Sequence, residues 1–197
     1  MKEIIIATHN NDKKSEMMYA LRNLKVKILS LDNFSEIGEI EESGSTLLEN
    51  SLIKSREVQR ITGIPAIADD TGLEVEFLNG APGVYSARYA GNNASYQDNV
   101  RKLLSDLKGV KQKFRIAKFK TYISFCSLER ELWVDGSIEG EITEKPLGDN
   151  VFGYDSVFLV KKTGLTFGQM DKKNKDKISH RGLALKKMIS LLEQNIN

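Results

Sequence analysis

The stretch Ala66-Ile67-Ala68-Asp69-Asp70-Thr71-Gly72-Leu73-Glu74-Val75-Glu76-Phe77 decides how the rest of the chain is read. Its first three residues are small and apolar, as in a strand buried on both faces, and Leu73 to Phe77 alternates apolar and acidic residues as a half-exposed strand does. Asp69-Asp70-Thr71-Gly72 reads as a turn between the two, so the spacing predicts a pair of carboxylates at a strand end. Adjacent carboxylates there repel and lose hydration unless a cation, a proton or a hydrogen-bond donor compensates them. A magnesium ion meets that need and prefers oxygen ligands. A solvated Asx turn meets it too, and these residues alone leave both readings open.

Working outward, Glu3 to Ala7 is a short apolar run that ends in a polar loop, and Ser15 to Leu24 carries Met17, Leu21 and Leu24 at helical spacing. That order predicts strand, turn and helix. Val26 to Leu31 follows as a second strand, then the acidic segment Glu36 to Ser45, then a long helix over Leu47 to Ile61 with Gly63-Ile64-Pro65 as its stop. Downstream, Asn79-Gly80-Ala81-Pro82-Gly83 marks a loop. Val100, Leu103, Leu104 and Leu107 mark an amphipathic helix, and Phe114 to Leu128 and Glu131 to Ile142 read as antiparallel strands turning near Glu129-Arg130. Ser179 reads as the N-cap of a last helix through Leu185, Met188, Ile189 and Leu192. Alternating elements in the first half and neighbouring strands in the second predict an α/β fold, a mixed sheet flanked by helices.

A length of 197 residues with 40% hydrophobic content supports one domain over 1–197, or two closely joined lobes. The 29 Lys and Arg nearly cancel the 27 Asp and Glu, leaving +2, a balance that neither requires nor excludes nucleic acid. No apolar run approaches the roughly 20 residues that span a bilayer. Lys2-Glu3-Ile4-Ile5-Ile6 is too short and too acidic for a signal peptide, so the expected location is the cytoplasm, with no membrane partner. The single cysteine, Cys126, allows no disulfide within the chain and reads as a small core residue.

Three further clusters carry chemistry-bearing side chains. The loop Thr8-His9-Asn10-Asn11-Asp12-Lys13 offers a hydroxyl, amides, backbone N–H groups and a lysine at a helix start, where the dipole favours phosphate. It lacks a glycine-rich phosphate pattern, so an ordinary polar turn is the competing reading. Phe152-Gly153-Tyr154-Asp155 brackets a glycine with two rings and an acid, suited either to stacking on a flat base or to core packing. Ser179-His180-Arg181-Gly182 places two cations in the first turn of a helix, where they oppose the dipole and call for a compensating ligand unless they are simply exposed. The run Lys172-Lys173-Asn174-Lys175-Asp176-Lys177 reads as a solvated face.

Together, the Thr8 to Lys13 loop with Glu16, Ala68-Asp69-Asp70-Thr71-Gly72-Leu73, Gly80-Ala81-Pro82-Gly83-Val84-Tyr85-Ser86-Ala87-Arg88, Phe152-Gly153-Tyr154-Asp155 and Ser179-His180-Arg181-Gly182 closely resemble the inosine triphosphate pyrophosphatase family. The resemblance runs from about residue 3 to 192, with five motifs in register. It implies an elongated, two-lobed fold with the active cleft between the lobes, and a homodimer. The implied activity is Mg²⁺-dependent hydrolysis of the noncanonical purine triphosphates XTP, ITP and dITP to the monophosphate and pyrophosphate. No nucleic acid polymer is implied as a partner.

Residue by residue, the resemblance implies that Thr8, His9, Asn10, Asn11, Asp12, Lys13 and Lys54 grip the triphosphate. Asp70 is implied as the proton acceptor, and Glu41, Asp69 and Asp70 as the metal ligands, with Glu42 and Glu49 as alternatives to Glu41. Thr71, Phe152, Gly153, Tyr154, Asp155, Lys175, His180 and Arg181 are the implied remaining substrate contacts, with Arg181 and the Phe152 turn reading the purine 6-oxygen. Departures occur at His9, where many relatives have glycine, at Asp149-Asn150-Val151 and at Ser156; they bear on substrate ranking. A rival reading, the Asp70-Thr71-Gly72 signature of aspartic proteases, needs two such aspartates, and the chain has one copy.

Overall fold

A computed structural model describes residues 3–150 and 152–195. In chain order the elements are β1 (Glu3–Ile6), α1 (Asn11–Leu21), β2 (Lys27–Ser30), α2 (Leu47–Thr62), β3 (Ala66–Val75), β4 (Pro82–Gly83), α3 (Tyr96–Asp106), β5 (Ile116–Cys126), β6 (Glu131–Ile142), β7 (Phe158–Val160), β8 (Leu165–Thr166), α4 (Lys172–Ile178) and α5 (His180–Asn195). The sheet order is β2-β1-β3-β5-β6-β7-β8, with β4 paired to β3. β1 runs parallel to both β2 and β3, whereas β6-β7 and β7-β8 are antiparallel. The sheet is therefore mixed, as the sequence predicts.

The chain divides into two compact units, one comprising 1–70, 121–136 and 181–197 and the other 71–120 and 137–180, with divisions falling inside β3, β5 and β6. In the first unit, the strand pleat sends alternate residues of β1 to opposite faces. Ile4 and Ile6 pack with Met17, Leu21, Leu185 and Met188, while Ile5 packs with Val58 and Leu31. Each of the three isoleucines is fully buried, contributing about 1.5–3 kcal/mol apiece. Val58 belongs to α2, which is bounded by a Thr46 capping box and by Gly63 in the left-handed conformation at φ 68°. The second unit has its own core, in which Leu73, Leu103, Phe119, Phe158 and Phe167 are buried together.

Two expectations are corrected here. The Asp69-Asp70-Thr71-Gly72 turn does not exist, because β3 runs unbroken from Ala66 to Val75. Buried acids would ordinarily break such a strand, but the cations described below compensate them. The second concerns Lys175 in the lysine run, which forms helix α4, capped by the Asp171 side chain on the Asn174 N–H: Lys172, Lys173 and Lys177 are exposed as expected, but Lys175 is buried. Ser179 consequently closes α4 and immediately precedes α5. Cys126 is buried, as expected. Among the described residues no helix is long and apolar enough to cross a membrane.

Candidate active site

Because β3 continues through the two acids, its two-residue period dictates their surroundings. Ala66, Ala68 and Asp70 point to the face lined by α2, and Ile67 and Asp69 to the face lined by α1 and α5. Adjacent carboxylates thus acquire different partners. Asp69, with no exposed surface, accepts from the Arg181 Nε at 3.1 Å and lies 3.3 Å from the Lys13 Nζ. Arg181 also bonds Glu16. Asp70 lies 3.6 Å from the Lys54 Nζ, and that ammonium donates to Glu42 Oε1 at 2.6 Å. The backbone carbonyl of Asp70 accepts from the Thr121 hydroxyl at 2.9 Å.

The pair is split electrostatically as well. Burial is the largest influence on Asp69 and pushes its carboxyl upward, but Lys13, Arg181 and Lys54 together hold it well below the usual carboxylate range. Burial likewise pushes Asp70 upward; Lys54 and Lys13 pull it down, Glu42 and Asp69 push it up again, and the net direction is up. Lys54, despite burial, is held above its ordinary value by Asp70, Glu42 and Asp69, so it stays charged. The arrangement provides one acid held in its ionised form at neutral pH and, beside it, one acid pushed toward taking a proton.

The loop before α1 is ordered by its own polar side chains. Asn10 caps the helix, its Oδ1 accepting from the Asp12 and Lys13 N–H groups at 3.0 Å each, and Thr8 Oγ1 accepts from the Asn10 N–H. Asn11 and Asp12 are exposed in the first turn. His9, also exposed, donates from Nε2 to the Gly38 carbonyl at 3.0 Å, tying this loop to the acidic segment.

Of the three candidate glutamates, the structure brings Glu42 to Lys54 and Asp70, while Glu41 is exposed. Glu49 is occupied as a helix cap, accepting from the Ser45 N–H, the Ser45 hydroxyl and the Thr46 N–H. Among the described residues no group of three or more His, Cys, Asp and Glu side chains gathers as a metal cage. Glu41, Asp69 and Asp70 are therefore not assembled as a trio here, since neighbours on a strand face opposite ways. The donor chemistry still fits a hard divalent ion: Asp70 and Glu42 offer oxygens from two elements converging on one ammonium.

The second unit holds the other cluster. Gly153, at φ 56°, lets the chain turn sharply between Phe152 and Tyr154. Tyr154 is buried and donates to the Ser86 carbonyl at 2.9 Å, which explains the Gly80 to Arg88 motif as a support for this turn. Asp155 accepts from Lys175 Nζ at 2.6 Å and from Asn150 Nδ2 at 3.1 Å. That ammonium lies 4.8 Å from the centre of the Phe152 ring and 5.7 Å from that of Phe167. His180 stacks on Phe119 at 4.5 Å. Thr71, at the start of this unit, is half-buried on β3.

Arg181 pairs its guanidinium with Asp69 and Glu16. Those acids compensate a cation at the α5 N-terminus. Sequence reasoning gave no role to Glu16, although it sits one turn after Lys13 on α1, a spacing that puts both on one face. It also passed over Phe119 and Phe167, whose contacts depend on tertiary packing and leave no local signal.

Residues 4–191 match the model of the Ham1 family. A protein of Bacillus licheniformis named dITP/XTP pyrophosphatase is 46% identical over 195 residues, covering 98% of this chain and all of that protein. One of the same name from a Thermoanaerobacter strain is 48% identical over 187 residues, 94% of each chain. Among solved structures, a HAM1 protein from Coxiella burnetii superposes with a TM-score of 0.90 at 41% identity, covering 98% of this chain and 100% of that one. The Staphylococcus aureus Ham1 protein gives a TM-score of 0.88 at 37% identity, with the same coverage.

Proposed function

Since this chain belongs to the Ham1 family, we propose that it is a dITP/XTP pyrophosphatase, hydrolysing noncanonical purine nucleoside triphosphates to the monophosphate and pyrophosphate. The observation that carries the reading is the division of Asp69 and Asp70 between opposite faces of one strand, which sets Asp69 beside Lys13 and leaves Asp70, its carboxyl pushed upward by burial, beside Lys54. Asp70 accepts a proton from water as the oxygen attacks the α-phosphorus; the bond from that phosphorus to the bridging oxygen breaks, and pyrophosphate leaves with the electron pair. Lys13 and Lys54 neutralise phosphate charge, and Asp69, fixed by Arg181, keeps Lys13 in place.

Mg²⁺ is part of the proposal. Asp70 and Glu42, with Glu41 next in the chain, would hold it, and when bound it supplies charge neutralisation for the polyphosphate and the leaving group. In the second unit, the Phe152 and Tyr154 rings with the Asp155–Lys175 pair and His180 are proposed to recognise the base. Donors there that meet a 6-oxygen would be left unpaired by the 6-amino group of adenine. A cytoplasmic homodimer acting on free nucleotides completes the reading, and light scattering on the purified chain tests the oligomer.

Pyrophosphate release from ITP, dITP, XTP, dUTP, ATP and GTP with Mg²⁺ tests the activity. Turnover of dITP, ITP and XTP well above ATP and GTP, abolished by EDTA, is expected. Equal turnover of ATP and ITP would sink the noncanonical-purine reading, and no turnover of any would point to a binding module.

A further inference from the structure

The inward-facing residues of α2 are Leu47, Asn50, Ser51, Lys54, Ser55 and Val58. Two of them, one helical turn apart, hold the same irregular segment. Lys54 reaches Glu42, and Asn50 Oδ1 accepts from the Gly44 N–H at 2.8 Å. Gly44 sits tightly on the start of α2: a Cβ on it would lie 2.7 Å from Asn50 Oδ1 and 2.7 Å from Glu49 Cβ. Asn50 itself is fully buried. The Gly44 N–H can only donate, so it fixes which end of the amide faces it and turns Nδ2 away. Nδ2 meets no acceptor among the described residues. A buried donor in that state costs stability that an apolar side chain of the same size would spare. The position therefore carries an amide for the sake of its bond to Gly44, not for packing.

We propose that Asn50 is a positioning residue: by clamping Gly44, two residues beyond Glu42, it fixes the Glu42 carboxylate beside Lys54 and Asp70 and so sets the affinity for the divalent ion. The inference rests on the Mg²⁺-pyrophosphatase reading. It assigns Asn50 no contact with substrate. Its expected signature is weaker metal binding at unchanged kcat once metal is saturating.

Three full-length variants test it: Asn50→Leu, which loses the acceptor; Asn50→Asp, which keeps it; and Gly44→Ala, whose added methyl pushes the segment off Asn50 and the start of α2 while residue 50 keeps its amide. Each is read by thermal melting, by hydrogen exchange at the Gly44 amide, by Mg²⁺ calorimetry without nucleotide, and by the Mg²⁺ dependence of dITP turnover. Asn50→Leu should lose Gly44 protection and weaken Mg²⁺ about fivefold, the equivalent of one net hydrogen bond. Gly44→Ala should do the same, and Asn50→Asp should resemble the parent protein. Unchanged Mg²⁺ affinity in folded Asn50→Leu and Gly44→Ala overturns the proposal, as does a loss of kcat at saturating metal. A parent protein without metal-dependent turnover would refute the activity reading instead, while exchange and calorimetry still decide the clamp.

Discussion

Two places in this protein bury carboxylates, and they are balanced differently. In the second unit Asp155 faces one lysine at 2.6 Å and one amide, with the rings of Phe152 and Phe167 around the ammonium. One acid meets one cation, a matched pair that orients a turn. In the first unit Asp69, Asp70, Glu16 and Glu42 form ion pairs with Lys13, Lys54 and Arg181, with Lys54 and Arg181 each shared between two acids. Asp70 shares its lysine with Glu42, and burial, with Glu42 and Asp69, pushes its carboxyl upward. A carboxyl that shares its lysine and is pushed upward is prepared to take a proton or a metal ion.

Neutralising Asp70 should have the largest effect. Asp70→Asn is expected to lower kcat roughly 10²–10⁴-fold, the usual contribution of a positioned base, with KM for dITP little changed. Near-normal kcat would refute the proton-acceptor role. The same variant should melt at a higher temperature at pH 7. Burial, above all, raises the Asp70 pKa in the folded state. The native state therefore binds the proton more tightly than the unfolded chain, and stability falls as pH rises from the unfolded value through the folded one. Asparagine removes that loss, so the gain in Tm should shrink as pH falls toward the ordinary carboxylate range.

Asp69→Asn should do the reverse. It strips a buried guanidinium of one partner and Lys13 of its own, at a cost of about 3–5 kcal/mol in urea unfolding at neutral pH. Because the folded pKa of Asp69 is depressed, its contribution is present above the unfolded value and lost as pH falls through the folded one. The difference between variant and parent should accordingly narrow in acid. Adjacent, chemically identical residues would then change stability with opposite signs. If both destabilised the protein at pH 7, this electrostatic split between the two acids would fail.

The matched region is tested by Phe152→Ala. If its ring stacks on the base, KM for dITP should rise about tenfold, within the roughly 1–3 kcal/mol of one base–aromatic contact, while kcat stays within about twofold. A drop in melting temperature with unchanged KM would instead assign Phe152 to packing against Tyr96, whose ring lies 5.6 Å away.

Most of the architecture was legible because hydrophobic periodicity reports local structure directly: Met17 and Leu21 on α1, Val100 and Leu103 on α3, and Leu185 and Met188 on α5 are buried as their spacing implies. The strand through Asp69-Asp70-Thr71-Gly72 was not, because its four residues favour turns locally and only distant Lys13, Lys54 and Arg181 make a buried strand tolerable. That one misreading concealed the split between the acids, since a turn carries no two-residue period. Lys175 illustrates the same limit, as nothing local distinguishes it from the exposed Lys172 and Lys173. Which of Glu41 and Glu42 reaches Lys54 is likewise a tertiary fact with no local signal.

The smallest effect separates a glutamate that caps from one that serves the charged centre. Thr46→Ala removes the hydroxyl that accepts from the Glu49 N–H at the start of α2 and should cost about 1 kcal/mol. The half-saturating Mg²⁺ for dITP turnover should not move, because losing the Thr46 hydroxyl leaves the Asn50–Gly44 and Glu42–Lys54 bonds in place. Glu42→Gln should do the opposite, weakening Mg²⁺ with little change in melting, since the half-exposed Glu42 leaves Lys54 still facing Asp70. Should Thr46→Ala weaken Mg²⁺ as much as Glu42→Gln does, Glu49 would have to be returned to the ligand set, and the acidic segment would no longer act through Glu42 alone.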